Sequence, residues 1–292
     1  MTLNLDLKKF KPSTMPDNAT CILLGKRRTG KTTITLDVMY HKRRIPCGVV
    51  VSGTEESNHT FKGIVPDTFI YGEYKPEILD RVFVRQRKLT NHNQRLMDLR
   101  QKDGLVDSKV FIVLDDCMYD KSVWKSEVIR KVFFNGRHFN MFFLATCQYL
   151  MEIPPSIRAN IDYTFVLREP VLSQRQKIYT YFAGIVPDFK MFCHILDRTT
   201  NNFECLVIDN TSRSTEISDV LYWYKAKIRE KGKWRVGSDS YWLHHRKKYN
   251  PRHDAEDDDG VDMLTSAGGG GGGRGGGSSS RVGARVVVRK SR

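Results

Sequence analysis

The sequence predicts an α/β protein with a mostly parallel sheet covered by helices on both faces. Three observations predict it. Short apolar runs recur and alternate with amphipathic stretches. The apolar runs lack the in–out alternation of a half-exposed strand, as strands buried on both faces do. Finally, a glycine-rich loop follows the first apolar run and opens the first helix, the placement that a phosphate-binding loop requires.

The elements follow in order. "TCILLG" (residues 20–25) reads as a buried strand ending in glycine. Residues 31–44 read as a helix with Ile34 and Val38 on one face and Lys42, Arg43 and Arg44 at its exit, where cations suit the helix dipole. "CGVVVSG" (47–53) is a second strand and "TFIYG" (68–72) a third. Residues 77–102 read as a helix. From Arg81 to Lys102 it carries seven basic residues against Asp98 alone, and Arg81, Arg85, Lys88, His92, Arg95 and Lys102 share a stripe. Such a stripe suits contact with a phosphate backbone, or simply a solvated face. "KVFIVLDDCMYD" (109–120) is an apolar strand that ends in two aspartates, followed by a helix around 123–138. "MFFLATCQ" (141–148) and "IDYTFVLRE" (161–169) are further strands. Helices are expected around 173–183 and 189–196, and "FECLVID" (203–209) reads as the final strand.

The sequence divides into an arm (1–19), a domain (20–252) and a tail (253–292) that is acidic, then Gly-rich, then basic. The tail's composition predicts disorder. Just before it, residues 224–250 are basic and aromatic.

The 292 residues suffice for a large core, and 40% are hydrophobic. The formal net charge of +15 favours a polyanionic partner, nucleic acid first. None of the six cysteines forms a C-x-x-C pair, so they read as buried apolar residues of a reducing compartment. No run approaches a membrane span, and the N-terminus has no signal-peptide core. An intracellular, soluble protein is expected.

The chemistry sits in three places. "GKRRTGKTT" (25–33) fits G-x-x-x-x-G-K-[ST]. Gly25, Lys26, Arg27, Arg28, Thr29, Gly30, Lys31, Thr32 and Thr33 would wrap the phosphates of ATP with their amides. Lys31 would reach the β- and γ-phosphates, and Thr32 would ligate Mg²⁺. Asp115 would hold the same Mg²⁺, and Asp116 would orient or deprotonate the attacking water. Gln148, at the end of the next strand, can contact the γ-phosphate and that water.

In that order, "GKRRTGKTT", "VFIVLDDC", "GRHFNMFFLATCQ" and "PPSIRANIDYTFVLRE" make the chain resemble the FtsK/HerA branch of P-loop NTPases. Within it, they resemble the poxvirus-type DNA-packaging ATPases of nucleocytoplasmic large DNA viruses. The resemblance spans about residues 20–209. It implies a RecA/FtsK-like P-loop fold and an ATPase that forms a homo-oligomeric ring. Such an ATPase would move double-stranded DNA without regard to sequence and would work with capsid or portal-like vertex proteins. It also implies a location in the host cytoplasm at the viral assembly site, and in the virion. Arg137 in "NGRHF" is the first candidate for an arginine acting on a neighbour's nucleotide, with Arg158 and Arg168 next. The sequence departs from the broader branch at Asp116, where many relatives have glutamate, and at Cys147, which stands between Thr146 and Gln148. Two other readings stay open: a P-loop nucleotide or polynucleotide kinase, and a non-catalytic basic DNA-binding virion protein.

Overall fold

The computed structural model describes residues 6–117, 121–148, 150 and 153–249. The expected tail lies outside the described residues. In chain order the elements are β1 (Thr20–Leu24), α1 (Lys31–His41), β2 (Gly48–Ser52), α2 (Glu55–Asn58), β3 (Ile70–Tyr71), α3 (Pro76–Asp98) and β4 (Val110–Asp115). Then come α4 (Lys121–Lys125), α5 (Glu127–Asn135), β5 (Met141–Cys147), α6 (Pro155–Arg158), β6 (Tyr163–Val166), α7 (Leu172–Phe182) and α8 (Phe189–Thr199). The described chain ends with β7 (Glu204–Asp209), β8 (Leu221–Lys225) and α9 (Asp239–Lys248).

The eight strands form one sheet in the order β3-β2-β4-β5-β1-β6-β7-β8. The pairs from β3 to β6 are parallel, and β7 and β8 add antiparallel. Side chains alternate between the two faces of every strand. In β1, Ile22 and Leu24 join the apolar cluster on one face, while Cys21 and Leu23 join the cluster on the other. The first cluster is roofed by α3, α5 and α8 through Leu79, Ile129 and Phe192. The second is roofed by α1 through Ile34, Val38 and Met39, and by Tyr241 of α9. This two-sided cover is why the strands lack alternation in the sequence.

The structure departs from expectation at several elements. The final strand is not residues 203–209, since Leu221–Lys225 continues the sheet as β8. Its aromatic residues and lysine obscured a strand that is only half buried on its outer side. The helix expected at 123–138 breaks into α4, α5 and a 3-10 turn at Gly136–Phe139. The third strand shrinks to Ile70–Tyr71, because Asp67–Phe69 is a 3-10 turn. In α3, Ile78, Leu79, Val82, Phe83 and Gln86 are buried, whereas the turns beyond Gln86 are largely exposed. Residues 99–107 return along this arm, and Val106 exchanges two hydrogen bonds with Asn93 (2.8 and 3.0 Å). The expected basic stripe thus runs outward from the body onto an exposed arm. No disulfide joins any of the six cysteines, and four of them are buried. Among the described residues no helix is long and apolar enough to cross a membrane.

One buried carboxylate fastens the end of the sheet to α1. Asp37, 1% exposed, accepts hydrogen bonds from the Tyr224 hydroxyl, Lys227 N (2.7 Å) and Arg229 Nε (2.7 Å). The Arg229 guanidinium also stacks 3.7 Å from the Tyr40 ring centroid. Asp37→Ala leaves these donors unmatched in a buried place. Its expected cost is about 3 kcal/mol, or roughly 10 °C in melting temperature. Calorimetry checks this: a change under 2 °C, on the order of 0.5 kcal/mol, would mean that the Asp37 cluster does not hold the chain that follows β8.

Candidate nucleotide site

The site gathers at the C-terminal edge of the parallel strands, where chain crossings open a crevice. Between β1 and α1, residues 25–30 form a loop. Gly25 N still donates to Cys147 O (3.1 Å), so the loop starts as an extension of the ladder. A Cβ on Gly25 would lie 2.8 Å from Leu167 Cβ and 2.8 Å from Thr29 Oγ1, so only glycine fits. Arg28 (φ 63°) and Gly30 (φ 101°) have left-handed backbones. Such reversals turn successive amides toward one concavity, which suits an anion. Lys31 folds over this loop, its Nζ donating to Gly25 O (2.8 Å) and Lys26 O (2.9 Å). Burial lowers its pKa, against the opposing charges of Asp116 and Asp115.

Strand order explains how the aspartates arrive. β5 lies between β1 and β4. Leu114 pairs with Ala145, and Leu23 pairs with Thr146. One residue further along, Asp115 stands beside Thr146. By the period of two, both side chains project to the face that α1 covers. Asp115 is 3% exposed, and the Thr146 hydroxyl donates to its Oδ1 (3.0 Å). The same hydroxyl oxygen accepts from Asp116 N (3.0 Å). Asp116 turns the chain out of β4 with φ 51°, a conformation Asp tolerates better than most residues. Gln148 Nε2 then donates to Asp116 Oδ1 (3.1 Å). Cys147 points into the opposite apolar cluster, so it separates Thr146 from Gln148 in sequence without interrupting their chain of hydrogen bonds.

A cavity of about 720 Å³ joins these groups. Its lining includes Arg27, Arg28, Gly30, Lys31, Thr32, Thr33, Asp115 and Asp116. Gly25, Lys26, Thr29 and Gln148 stand behind or beside that lining. Lys26 instead pairs with the buried Glu169 carboxylate (3.3 Å).

Among the described residues no three His, Cys, Asp or Glu side chains form a protein-only metal cage. The donors present are hard oxygens: Thr32, Asp115 and Asp116. That set suits Mg²⁺, which commonly takes one or two protein ligands and completes its shell with phosphates and water. Ser52, the register partner of Asp115 in β2, is fully buried, and its hydroxyl has no hydrogen-bond partner among the described residues.

The three arginine candidates lie apart. Arg137 sits at the opposite, N-terminal edge of the sheet and pairs with Asp162, whose carboxylate also accepts from Thr20 N (2.8 Å) and Thr20 Oγ1 (3.0 Å). This pairing gives Arg137 a structural contact, while more than half of its side chain stays exposed. Arg158 is occupied by Ile153 O (2.7 Å) and the Tyr181 ring (3.9 Å). Arg168 follows β6 at the phosphate-loop edge and is exposed.

Sequence reasoning gave Thr146 no task and missed the far wall of the cavity. That wall is made by Asn202, Phe203, Lys225, Ala226 and Ile228. Its sequence signals are "NNF", a turn-prone pair before an aromatic residue, and the start of the basic, aromatic segment 224–250.

No family model matches the chain. Among similar proteins, uncharacterized protein L437 of Acanthamoeba polyphaga mimivirus is 32% identical over 250 residues, spanning 85% of this chain and 86% of that protein. The chain belongs to the same family of large-DNA-virus proteins. Uncharacterized protein 015R of Frog virus 3 is another similar sequence, 35% identical over 222 residues, spanning 76% of this chain and 66% of its own length. Solved structures of similar fold include the genome packaging NTPase B204 of Sulfolobus turreted icosahedral virus 2 in complex with ATP-gammaS. It is 11% identical with TM-score 0.47, covering 73% of this chain and 99% of that one. EssC (ATPases 2 and 3) from Geobacillus thermodenitrificans is 13% identical with TM-score 0.49, covering 78% and 42%.

Burial raises the Asp115 pKa from 3.8 to about 6; the Thr146 hydrogen bond opposes this, and the Asp116 charge adds to it. The folded state therefore holds a proton that the unfolded chain releases near pH 3.8. Stability from this group is present below that value and lost as pH rises to about 6. Asp115→Asn removes the penalty and still accepts from Thr146. In chelator, it is expected to stabilise the protein by up to roughly 3 kcal/mol at pH 8, and by about a third of that at pH 4.5. Thermal melts at the two pH values check this. An equal gain at both would assign the effect to something other than Asp115 ionisation.

Proposed function

We propose that this chain is the ATP-hydrolysing subunit of a motor that drives double-stranded viral DNA into a capsid. The observation that carries the reading is one hydroxyl, Thr146, holding both Asp115 and Asp116 beside a glycine-bounded loop that Lys31 closes. That is the equipment for hydrolysing a phosphoanhydride rather than for moving a phosphate to a second substrate, since the adjacent carboxylates can serve metal and water in turn.

In this reading Lys31 exchanges its two loop carbonyls for the β- and γ-phosphates of ATP. Thr32 and Asp115 would hold Mg²⁺, whose charge would offset that developing on the phosphates. Asp116 takes the proton of the attacking water. Gln148, already bonded to Asp116, feels the state of the γ-phosphate and passes it to β5.

DNA is gripped through charge, which suits a pump indifferent to sequence. The outward basic arm of α3 and the net charge of +15 support this. Kinship with proteins of large DNA viruses supports a viral setting. A ring of identical subunits, docking on a capsid vertex, and action in the host cytoplasm and virion belong to the same proposal. Of the three candidate arginines, Arg168 is the one exposed at the nucleotide edge, and it serves across a subunit boundary.

The test is steady-state ATPase activity with and without long duplex DNA at two salt concentrations. Duplex DNA is expected to stimulate turnover. If about six phosphates are contacted, the DNA concentration for half-stimulation should rise about a thousandfold between 50 and 200 mM salt. Lys31→Ala is expected to lower kcat at least about 100-fold. Turnover indifferent to DNA, or equal in Lys31→Ala, would refute the motor.

A further inference from the structure

The two most exposed large apolar side chains among the described residues are Ile228, 88% exposed, and Phe203, 70% exposed. They are far apart in sequence, yet both line the cavity whose floor is the phosphate loop. Neither position is accidental. Ile228 lies between Lys227 and Arg229, whose backbone and side chain are fastened to Asp37. Phe203 lies in a turn closed by Glu204 N donating to Asn201 O (2.9 Å). The two central residues of that turn, Asn202 (φ 53°) and Phe203 (φ 60°), are both left-handed.

Those signs are those of a type I′ turn, where glycine commonly takes the second central place. A bulky ring there is disfavoured by its own backbone and unprotected by burial. The sequence thus bears a local cost to hold an aromatic ring in water. The ring stands against the phosphate loop: a Cβ placed on Gly30 would lie 3.6 Å from Phe203 Cδ1.

We infer that Phe203 and Ile228 form a clamp for the nucleobase, with Phe203 stacking on its face. This rests on the nucleotide reading of the site and names what binds beyond the phosphates. A ring face and an aliphatic side chain recognise flatness rather than a hydrogen-bonding pattern. The clamp therefore favours purines over pyrimidines and distinguishes adenine from guanine weakly. Lys225, at the same wall, supplies positive charge beside the sugar and phosphates.

Isothermal titration with Mg²⁺-ATP and with Mg²⁺-tripolyphosphate, which lacks a base, separates the clamp from the loop. Phe203→Ala and Phe203→Gly are expected to weaken ATP about tenfold and to leave tripolyphosphate within about twofold. Phe203→Gly also relieves the left-handed turn, so its melting temperature should not fall. Phe203→Trp is expected to keep ATP affinity and to show fluorescence quenched by ATP but not by tripolyphosphate. GTP should bind the wild type within about threefold of ATP. ATP affinity unchanged in Phe203→Gly, or ATP and tripolyphosphate weakened in parallel, overturns the clamp. A wild-type chain that binds both ligands with equal affinity overturns the clamp alone. One that binds neither overturns the clamp and the nucleotide reading together.

Discussion

The burial of one carboxylate governs the site. Asp115 ends a strand enclosed on both faces and is 3% exposed, so its charge is costly without partners. The Thr146 hydroxyl supplies one hydrogen bond, and Lys31 supplies an opposing charge nearby. What this leaves uncompensated is shown by a pKa lifted to about 6. A cation bound with a nucleotide would remove the remaining penalty. In the proposed reading the site takes up a metal together with its nucleotide, with Asp115 as one protein ligand.

The two edges of the sheet divide the work. At the C-terminal edge lie the glycine-bounded loop, both aspartates and Gln148. At the N-terminal edge, charged and polar groups close structural contacts: Asp162 gathers Thr20 and Arg137, and Gln86 donates to Ser108 O (2.6 Å) where the α3 arm leaves the body. The strap after β8 belongs to both core and site. Asp37 fixes it on α1, the helix that follows the glycine-bounded loop, and the residues interleaved with those it holds, Lys225, Ala226 and Ile228, line the cavity.

The parallel part of the sheet was legible because two-sided burial leaves apolar runs such as "TCILLG" and "VFIVLD" with no alternation. The loop was legible because close backbone approach and left-handed φ demand glycines at fixed places. Asp115, Asp116 and Gln148 were legible as strand-end residues. Their connection through Thr146 was not, because it depends on β5 lying between β1 and β4, and strand order is not written in local pattern. β8 was missed because its exposed side carries aromatic residues and lysine. Phe203 and Ile228 were missed for a related reason: an exposed apolar residue acquires meaning only when a distant one shares its cavity. The pairing of Arg137 with Asp162 was not legible because the two lie 25 residues apart and meet only through the sheet.

The most direct test of the central claim is the Mg²⁺ dependence of binding a non-hydrolysable ATP analogue, measured by titration calorimetry on wild type and Thr146→Val. The variant keeps the side-chain shape and removes the hydroxyl that aligns both aspartates. The account predicts that Mg²⁺ tightens binding to the wild type at least about tenfold, and that most of this gain disappears in Thr146→Val while metal-free binding persists. An equal Mg²⁺ effect in both proteins would contradict it.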